Sequence, residues 1–111
     1  MAGNPDLVVA DNPSESRFEA HIGDALAGIA EYELADGVIR FTHTRVFDDF
    51  AGQGVAGALA RVALDSVRDE GTRKVEPECS FIDGWIEKHP DYQSLVAEDY
   101  VRPDDSDGQD D

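Results

Sequence analysis

A chain of 111 residues, 41% of them hydrophobic, has room for one domain with one core. Its 25 acidic residues against 9 basic ones, a formal net charge of −16, exclude the dense basic surface that nucleic-acid binding needs. The single cysteine, Cys79, excludes an internal disulfide and a multi-cysteine zinc site, and three widely spaced histidines make no metal site either.

No window approaches the roughly 18 apolar residues that a membrane span requires. Met1 to Asp6 has no basic region followed by an apolar run, so no export signal is expected, and a cytoplasmic location is. Five of the acidic residues fall between Asp104 and Asp111, so the imbalance belongs mainly to the body of the chain. A solubilising surface explains it, and so does attraction of a cationic substrate such as an amine.

Leu7-Val8-Val9-Ala10 is a short apolar run closed by the turn signal Asp11-Asn12-Pro13-Ser14. Arg17 to Ile22 alternates polar and apolar residues at period two, the pattern of a half-buried strand. Leu26 to Leu34 reads as a second strand, and Asp36-Gly37 is the strongest hairpin marker in the chain. Val38 to Phe47, rich in β-branched and aromatic residues, is the longest expected strand. Together these segments make an antiparallel meander.

The period then changes to 3.6. Val55, Leu59, Val62, Ala63 and Val67 fall at helical spacing, and Gly71 is a natural stop after Glu70. Arg73 to Glu76 reads as a short strand ended by Pro77. A second helix follows, with Ser80 as N-cap, Phe81, Ile82, Trp85 and Ile86 on one face, and His89-Pro90 as its end. Tyr92 to Val96 is expected to pack back as a short turn or strand. The fold class is therefore α/β: a mixed sheet, antiparallel first, then strand–helix–strand–helix with a parallel pair across the main helix. The expected organisation is a flexible N-terminus over 1–6, a domain over 7–102 and a disordered acidic tail over 103–111.

The junction between the last meander strand and the first helix carries Gly52-Gln53-Gly54-Val55-Ala56-Gly57. Backbone N–H groups and the positive end of a helix dipole converge at such a junction, which suits a phosphate. Taken literally, the run satisfies the dinucleotide fingerprint, with Glu76 about 20 residues further on as a ribose ligand. A meander before it and a short chain after it argue against a dinucleotide domain. The bland alternative is a tight strand-to-helix turn with no ligand. Cys79 lies between a strand and a helix, near the end of the parallel pair where α/β sites collect. It is either an inert buried residue or a thiol whose nucleophilic form a helix N-terminus favours and the flanking Glu76 and Glu78 oppose. His43, between Thr42 and Thr44, is either a hydrogen-bonded sheet residue or a general base. His89 reads mainly as a helix C-terminal cap.

Arg17-Phe18-Glu19, Tyr32, Phe41 to Val46, Gly52-Gln53-Gly54-Val55-Ala56, Pro77-Glu78-Cys79-Ser80-Phe81 and Lys88-His89-Pro90-Asp91-Tyr92 stand in the order and spacing of a known family. The chain resembles a minimal Gcn5-related N-acetyltransferase, of the small single-domain group with a cysteine after its last core strand. The resemblance implies acetyl-CoA as cofactor. The amides of Gly52, Gln53, Gly54, Val55 and Ala56 would hold the diphosphate, helped by Arg45, Arg61 or Lys88. The strand at Arg45, Val46 and Phe47 would pair with the pantetheine. It further implies acetyl transfer to a small-molecule or protein amine, directly or through Cys79, with His43 as base. Asp49 stands where the larger superfamily has Gln or Arg, so the loop is altered there. Gly57 becomes a packing position inside the helix rather than a ligand contact. The competing reading is a noncatalytic coenzyme A-binding or protein-interaction module on the same fold. Residues alone leave the acceptor and the oligomeric state open.

Overall fold

The computed structural model describes residues 6–98 and 100. The expected acidic tail over 103–111 and most of the expected flexible N-terminus lie outside that range. Strands β1 (Leu7–Asn12), β2 (Arg17–Ile22), β3 (Ala25–Ala35) and β4 (Val38–Val46) form the meander. Helix α1 (Val55–Glu70), strand β5 (Lys74–Pro77) and helix α2 (Ser80–Lys88) follow. The sheet runs in the order β1-β2-β3-β4-β5; its first four strands are antiparallel and β4 and β5 are parallel. The expected architecture is the observed one.

Three local expectations change. The longest strand is not β4, which has 9 residues and stops short of Phe47, but β3, with 11. Asp11 and Asn12 are not a turn but the end of β1, paired with Phe18 and Arg17. Asp11 earns its place there by accepting a 2.6 Å hydrogen bond from the Tyr32 hydroxyl, so the turn begins only at Pro13. Ser80 is not the cap of α2 but its first helical residue; Cys79 is the cap, with extended backbone and no side-chain capping bond. Tyr92 to Val96 forms most of a short 3₁₀ segment, Pro90–Leu95, and then a parallel bridge from Val96 to Val75.

Phe18, Phe41, Leu59, Leu64, Ile82 and Ile86 belong to one buried cluster, so α1, α2 and the sheet share a single core. The Phe18, Tyr32 and Phe41 rings form an aromatic triangle within it. Val62, expected on the buried face of α1, is only half-buried, while Ala60 and Leu64 are fully buried, so the core stripe is rotated towards them. The other sheet face is polar: Arg40 on β4 meets Glu33, Glu76 and Glu78 at 3.0–3.2 Å.

Two features place the junction after β4. Between β3 and β4 the register shifts at Glu31/Tyr32: Tyr32 pairs with Phe41 but Glu31 pairs with His43, leaving Thr42 as an extra residue. Side-chain alternation therefore reverses along β4. Ile39 and Phe41 are buried, yet His43 and Arg45, of the same parity, are exposed. The second feature is Gly28 on β3. A Cβ there would lie 2.8 Å from the Arg45 carbonyl oxygen, 2.8 Å from Val55 Cγ1 and 3.3 Å from Leu59 Cδ1. The first turns of α1 reach the sheet only because that side chain is missing.

Gly28→Ala is accordingly expected to cost about 1–3 kcal/mol, as overpacking does, read from the midpoint of urea unfolding. A second expectation concerns Glu19, whose carboxylate accepts 2.9 Å hydrogen bonds from Asn12 Nδ2 and Arg17 Nε. The Asn12 bond first, and then Arg17, hold its carboxyl below the ordinary value. Glu19 thus contributes stability above the ordinary Glu range that is lost as pH falls through its lowered folded value. Protonation of the many other carboxylates relieves repulsion and works the other way, so the readout is a difference. The stability advantage of wild type over Glu19→Gln should shrink as urea titrations move from neutral to acidic pH.

Candidate functional site

The chain leaves β4 at Val46, makes a 3₁₀ turn at Asp48–Phe50 and enters α1 through Gly52 and Gly54. Both glycines have left-handed backbone, φ 81° and 79°, and a Cβ on either would meet nothing within 4 Å. They are needed for conformation, not for space. Gly54 is the helix N-cap and carries no side chain to cap it. The first amide bonded within the helix is that of Ala58, to the Gly54 carbonyl at 3.0 Å. The amides of Val55, Ala56 and Gly57 therefore point out of the open helix end with the dipole behind them.

That end faces an open groove of about 450 Å³, lined by Val46, Phe50, Gly52, Val55, Ala56, Gly57 and Phe81 among others. Of the sequence-predicted residues, Val46, Gly52, Gly54, Val55 and Ala56 meet there. Arg45, Phe47 and Gln53 flank the groove without lining it, and Arg61 and Lys88 do not line it either. The Arg45 guanidinium lies 5.2 Å from the Phe47 ring centroid. Phe50, Gly57 and Phe81 were not singled out from sequence as groove residues. Gly57 is not a packing position: a Cβ there would meet nothing within 4 Å, and the residue instead leaves the groove floor open. Phe81, expected in the core, is 38% exposed and forms part of the groove wall. Only its place beside Cys79 hinted at this.

Cys79 is 8% exposed and in its free form. Its amide donates to the Phe41 carbonyl at 2.9 Å, extending the β4–β5 contact past the last paired residues, Phe41 and Pro77. Its thiol donates to Thr44 Oγ1 at 3.2 Å, a contact the sequence did not announce. The alternation reversal at Thr42 creates that contact by turning Thr44 towards Cys79. The same reversal puts His43, one residue away, on the exposed face across from Glu31. The structure does not bring His43 and Cys79 side chains together.

The Lys88-His89-Pro90-Asp91-Tyr92 segment is an anchor. His89 is the C-cap of α2 and donates from Nδ1 to the Trp85 carbonyl at 2.7 Å, its ring stacked on Trp85 at 3.8 Å. The Tyr92 hydroxyl donates to Asp65 on α1 at 2.6 Å, and that bond, followed by burial, raises its pKa. Among the described residues no group of three His, Cys, Asp or Glu side chains could hold a metal ion, and no helix is long and apolar enough to cross a membrane.

The sequence profile of the GCN5-related N-acetyl-transferase family matches residues 17–95. A GCN5-like protein of Staphylococcus aureus, solved in solution by NMR, superposes with a TM-score of 0.64 at 26% identity, over 90% of this chain and 95% of that one. An IAA acetyltransferase of Bacillus cereus shares the fold with a TM-score of 0.50 at 17% identity. The match covers 66% of this chain and 52% of that enzyme, so the region shared is about half of the larger protein. No curated protein matches the sequence. The chain belongs to the GCN5-related N-acetyltransferase family.

Because Cys79 is buried and bonded to Thr44, its alkylation by iodoacetamide should be slow in the native state. The rate should rise steeply through the urea unfolding transition, as read by intact mass; rapid native labelling would show the thiol to be open to the groove.

Proposed function

We propose that this protein binds acetyl-CoA in the groove at the start of α1 and transfers the acetyl group to an amine. The observation that carries the reading is the open helix end: two left-handed glycines, no capping side chain, and outward amides at Val55, Ala56 and Gly57 beside a groove. A glycine N-cap costs only about a few tenths of a kcal/mol relative to a capping side chain, yet it leaves the first amides without a side-chain acceptor, and an anion seated there would satisfy them. The groove fits the rest of a coenzyme in character, since Val46, Phe50 and Phe81 offer apolar walls to a pantetheine chain. Gly52, Gln53, Gly54, Val55 and Ala56 would bind the diphosphate, and Arg45, Val46 and Phe47 would lie along the pantetheine. Acetyl-CoA, when bound, supplies an activated acyl group and a thiolate leaving group.

Two residues remain for the proton chemistry. A thiol at Cys79 could act as nucleophile or return a proton to the leaving thiolate; its burial and its bond to Thr44 favour the second role. His43, exposed on the other side of β4, suits a base that takes a proton from an acceptor ammonium arriving from that side. The acidic body of the protein favours a cationic acceptor, either a small amine or a protein amine. The alternative, a coenzyme-binding module without turnover, draws on the separation of His43 from Cys79.

Coenzyme A at about 100 times its dissociation constant should add roughly 2.7 kcal/mol of stability, measured by thermal or urea unfolding. Ala56→Glu, which puts a carboxylate at the helix end, should abolish that gain while leaving the apo protein folded. Stabilisation by NAD but not by coenzyme A would sink the reading. An acetylation screen against an amine library then tests turnover, with Cys79→Ala and His43→Ala each expected to lower it; full activity in either removes that residue from the chemistry.

A further inference from the structure

Helix α1 is held against the sheet at one end and stands off it at the other. Its first turns touch β3 over Gly28. Near its C-terminal end a cavity of about 250 Å³ lies between helix and sheet, walled by Ser66, Val67 and Glu70 on one side and by Phe18, Tyr32 and Ile39 on the other. Val67 is about 16 Å further along α1 than Ala56, at the helix rise of about 1.5 Å per residue, so this cavity is separate from the groove at the helix start. Its floor is apolar: Phe18, Ile39 and Val67 are buried. Leu34, on the core-facing side of β3 opposite Ile39, also lines it and is nonetheless 53% exposed. Asp11 supplies the polar end. It pairs with Phe18 on β2, so its side chain is on the core-facing side of β1. Among the described residues the Asp11 carboxylate is hydrogen-bonded to the Tyr32 hydroxyl alone, at 2.6 Å. That partner is neutral: burial first, and then the bond to Asp11, push the Tyr32 pKa up, so the phenol keeps its proton. Glu70 and Arg73, which also line the cavity, meet at 3.3 Å and answer one another's charge. Asp11 is left as the uncompensated charge of the lining.

We propose that this cavity binds a small primary ammonium ion carried on an apolar body of about the size of one ring, with the nitrogen on Asp11 and the body over Phe18, Ile39 and Val67. An ammonium group has donors and no acceptor. The cavity offers it acceptors: the second Asp11 oxygen and the Tyr32 oxygen, whose own proton is already turned to Asp11. An anion would meet two carboxylates, with the Arg73 guanidinium already engaged by Glu70. A neutral ligand would leave the Asp11 charge unanswered. Size sets the other limit. A cavity of about 150 Å³ takes benzene, so one of about 250 Å³ takes by proportion about ten non-hydrogen atoms. The net charge of −16 draws such a cation in from a distance. The inference does not rest on the proposed function, because these residues do not line the groove at the start of α1.

The test is a titration of the full chain with benzylamine at neutral pH, followed by two-dimensional NMR and by thermal unfolding, with benzyl alcohol as the uncharged counterpart. Benzylamine is expected to shift the resonances of Tyr32 and Val67 and to raise the unfolding midpoint. Benzyl alcohol should bind at least about tenfold more weakly, for want of the charged hydrogen bond. Asp11→Asn keeps an oxygen for the Tyr32 hydroxyl and removes the charge. It should weaken benzylamine by a similar factor and leave benzyl alcohol unchanged. Ser66→Leu, at an exposed helix position on the cavity mouth, should weaken both ligands. Ala56→Glu, at the far end of α1, should bind benzylamine as wild type does, so a failure of the coenzyme groove and a failure of this cavity are separate results. The proposal is overturned if benzylamine leaves the Tyr32 and Val67 resonances unmoved or if the alcohol binds as tightly as the amine. It is also overturned if Asp11→Asn changes nothing, which would make Asp11 only an inward charge guarding the β1 edge.

Discussion

The close approach of α1 to β3 over Gly28 is the constraint on which the rest of the molecule depends. With only a hydrogen at that position, Val55 and Leu59 descend onto the sheet beside the Arg45 carbonyl, and both are buried. Gly28 pairs with Val46, so the helix begins directly above the end of β4. The connection between the two must then turn back sharply. It does so with a short 3₁₀ turn and two left-handed residues, which only glycine adopts without strain. The absent cap is part of the same geometry. A helix that starts from left-handed Gly54 has no side chain to close its own end, and its first amides remain available.

On the proposed reading, the position of that open end resolves a conflict in charge. A protein of net charge −16 repels a polyanionic coenzyme at long range, but salt screens such repulsion beyond about 10 Å. Backbone amides and a helix dipole act at hydrogen-bond distance and carry no counter-ion requirement. The exposed carboxylates of Asp48 and Asp49 lie on the approach to the loop. On the proposed reading they raise the salt dependence of coenzyme binding, while the same acidity draws in a cationic acceptor. On that reading anion selection would be local and acceptor selection global.

The elements were largely legible in the residues because each has a strong periodic signal with clear punctuation. Arg17 to Ile22 and Val55 to Glu70 were bounded correctly from alternation, helical spacing and Gly71. The misreadings have a common cause: they turn on contacts distant in sequence. Asp11 and Asn12 look like turn residues, and only the Tyr32 hydroxyl and the partner strand make them strand. Phe81 has the spacing of a core residue, but the groove takes it. Gly57 completes a fingerprint pattern, and no sequence rule says whether such a glycine packs or leaves space. The register shift at Thr42 left no trace in composition, and with it the sequence concealed both the Thr44–Cys79 contact and the separation of Cys79 from His43.

That separation constrains any chemistry in which both residues take part. Thr44 turns towards Cys79, so His43 projects from the opposite side of β4. The parallel ladder between β4 and β5 ends at Phe41 and Pro77, and the Cys79 amide makes the last bond across it. Beyond that bond β4 continues through Arg45 and Val46, while the chain after Cys79 turns into α2, and the two diverge. Past that bond β4 and β5 are no longer paired, and Val46 and Phe81, which follow on the two chains, line the groove. On the proposed reading, His43 on the exposed face and the Cys79 thiol on the helix face would act on one acyl centre through that opening. The acceptor would then come from the polar sheet face and the coenzyme from the groove, each on the side whose electrostatics suit it. The bulged residue in β4 is what makes this division possible, because an unbroken strand would have left His43 on the buried side with Ile39 and Phe41.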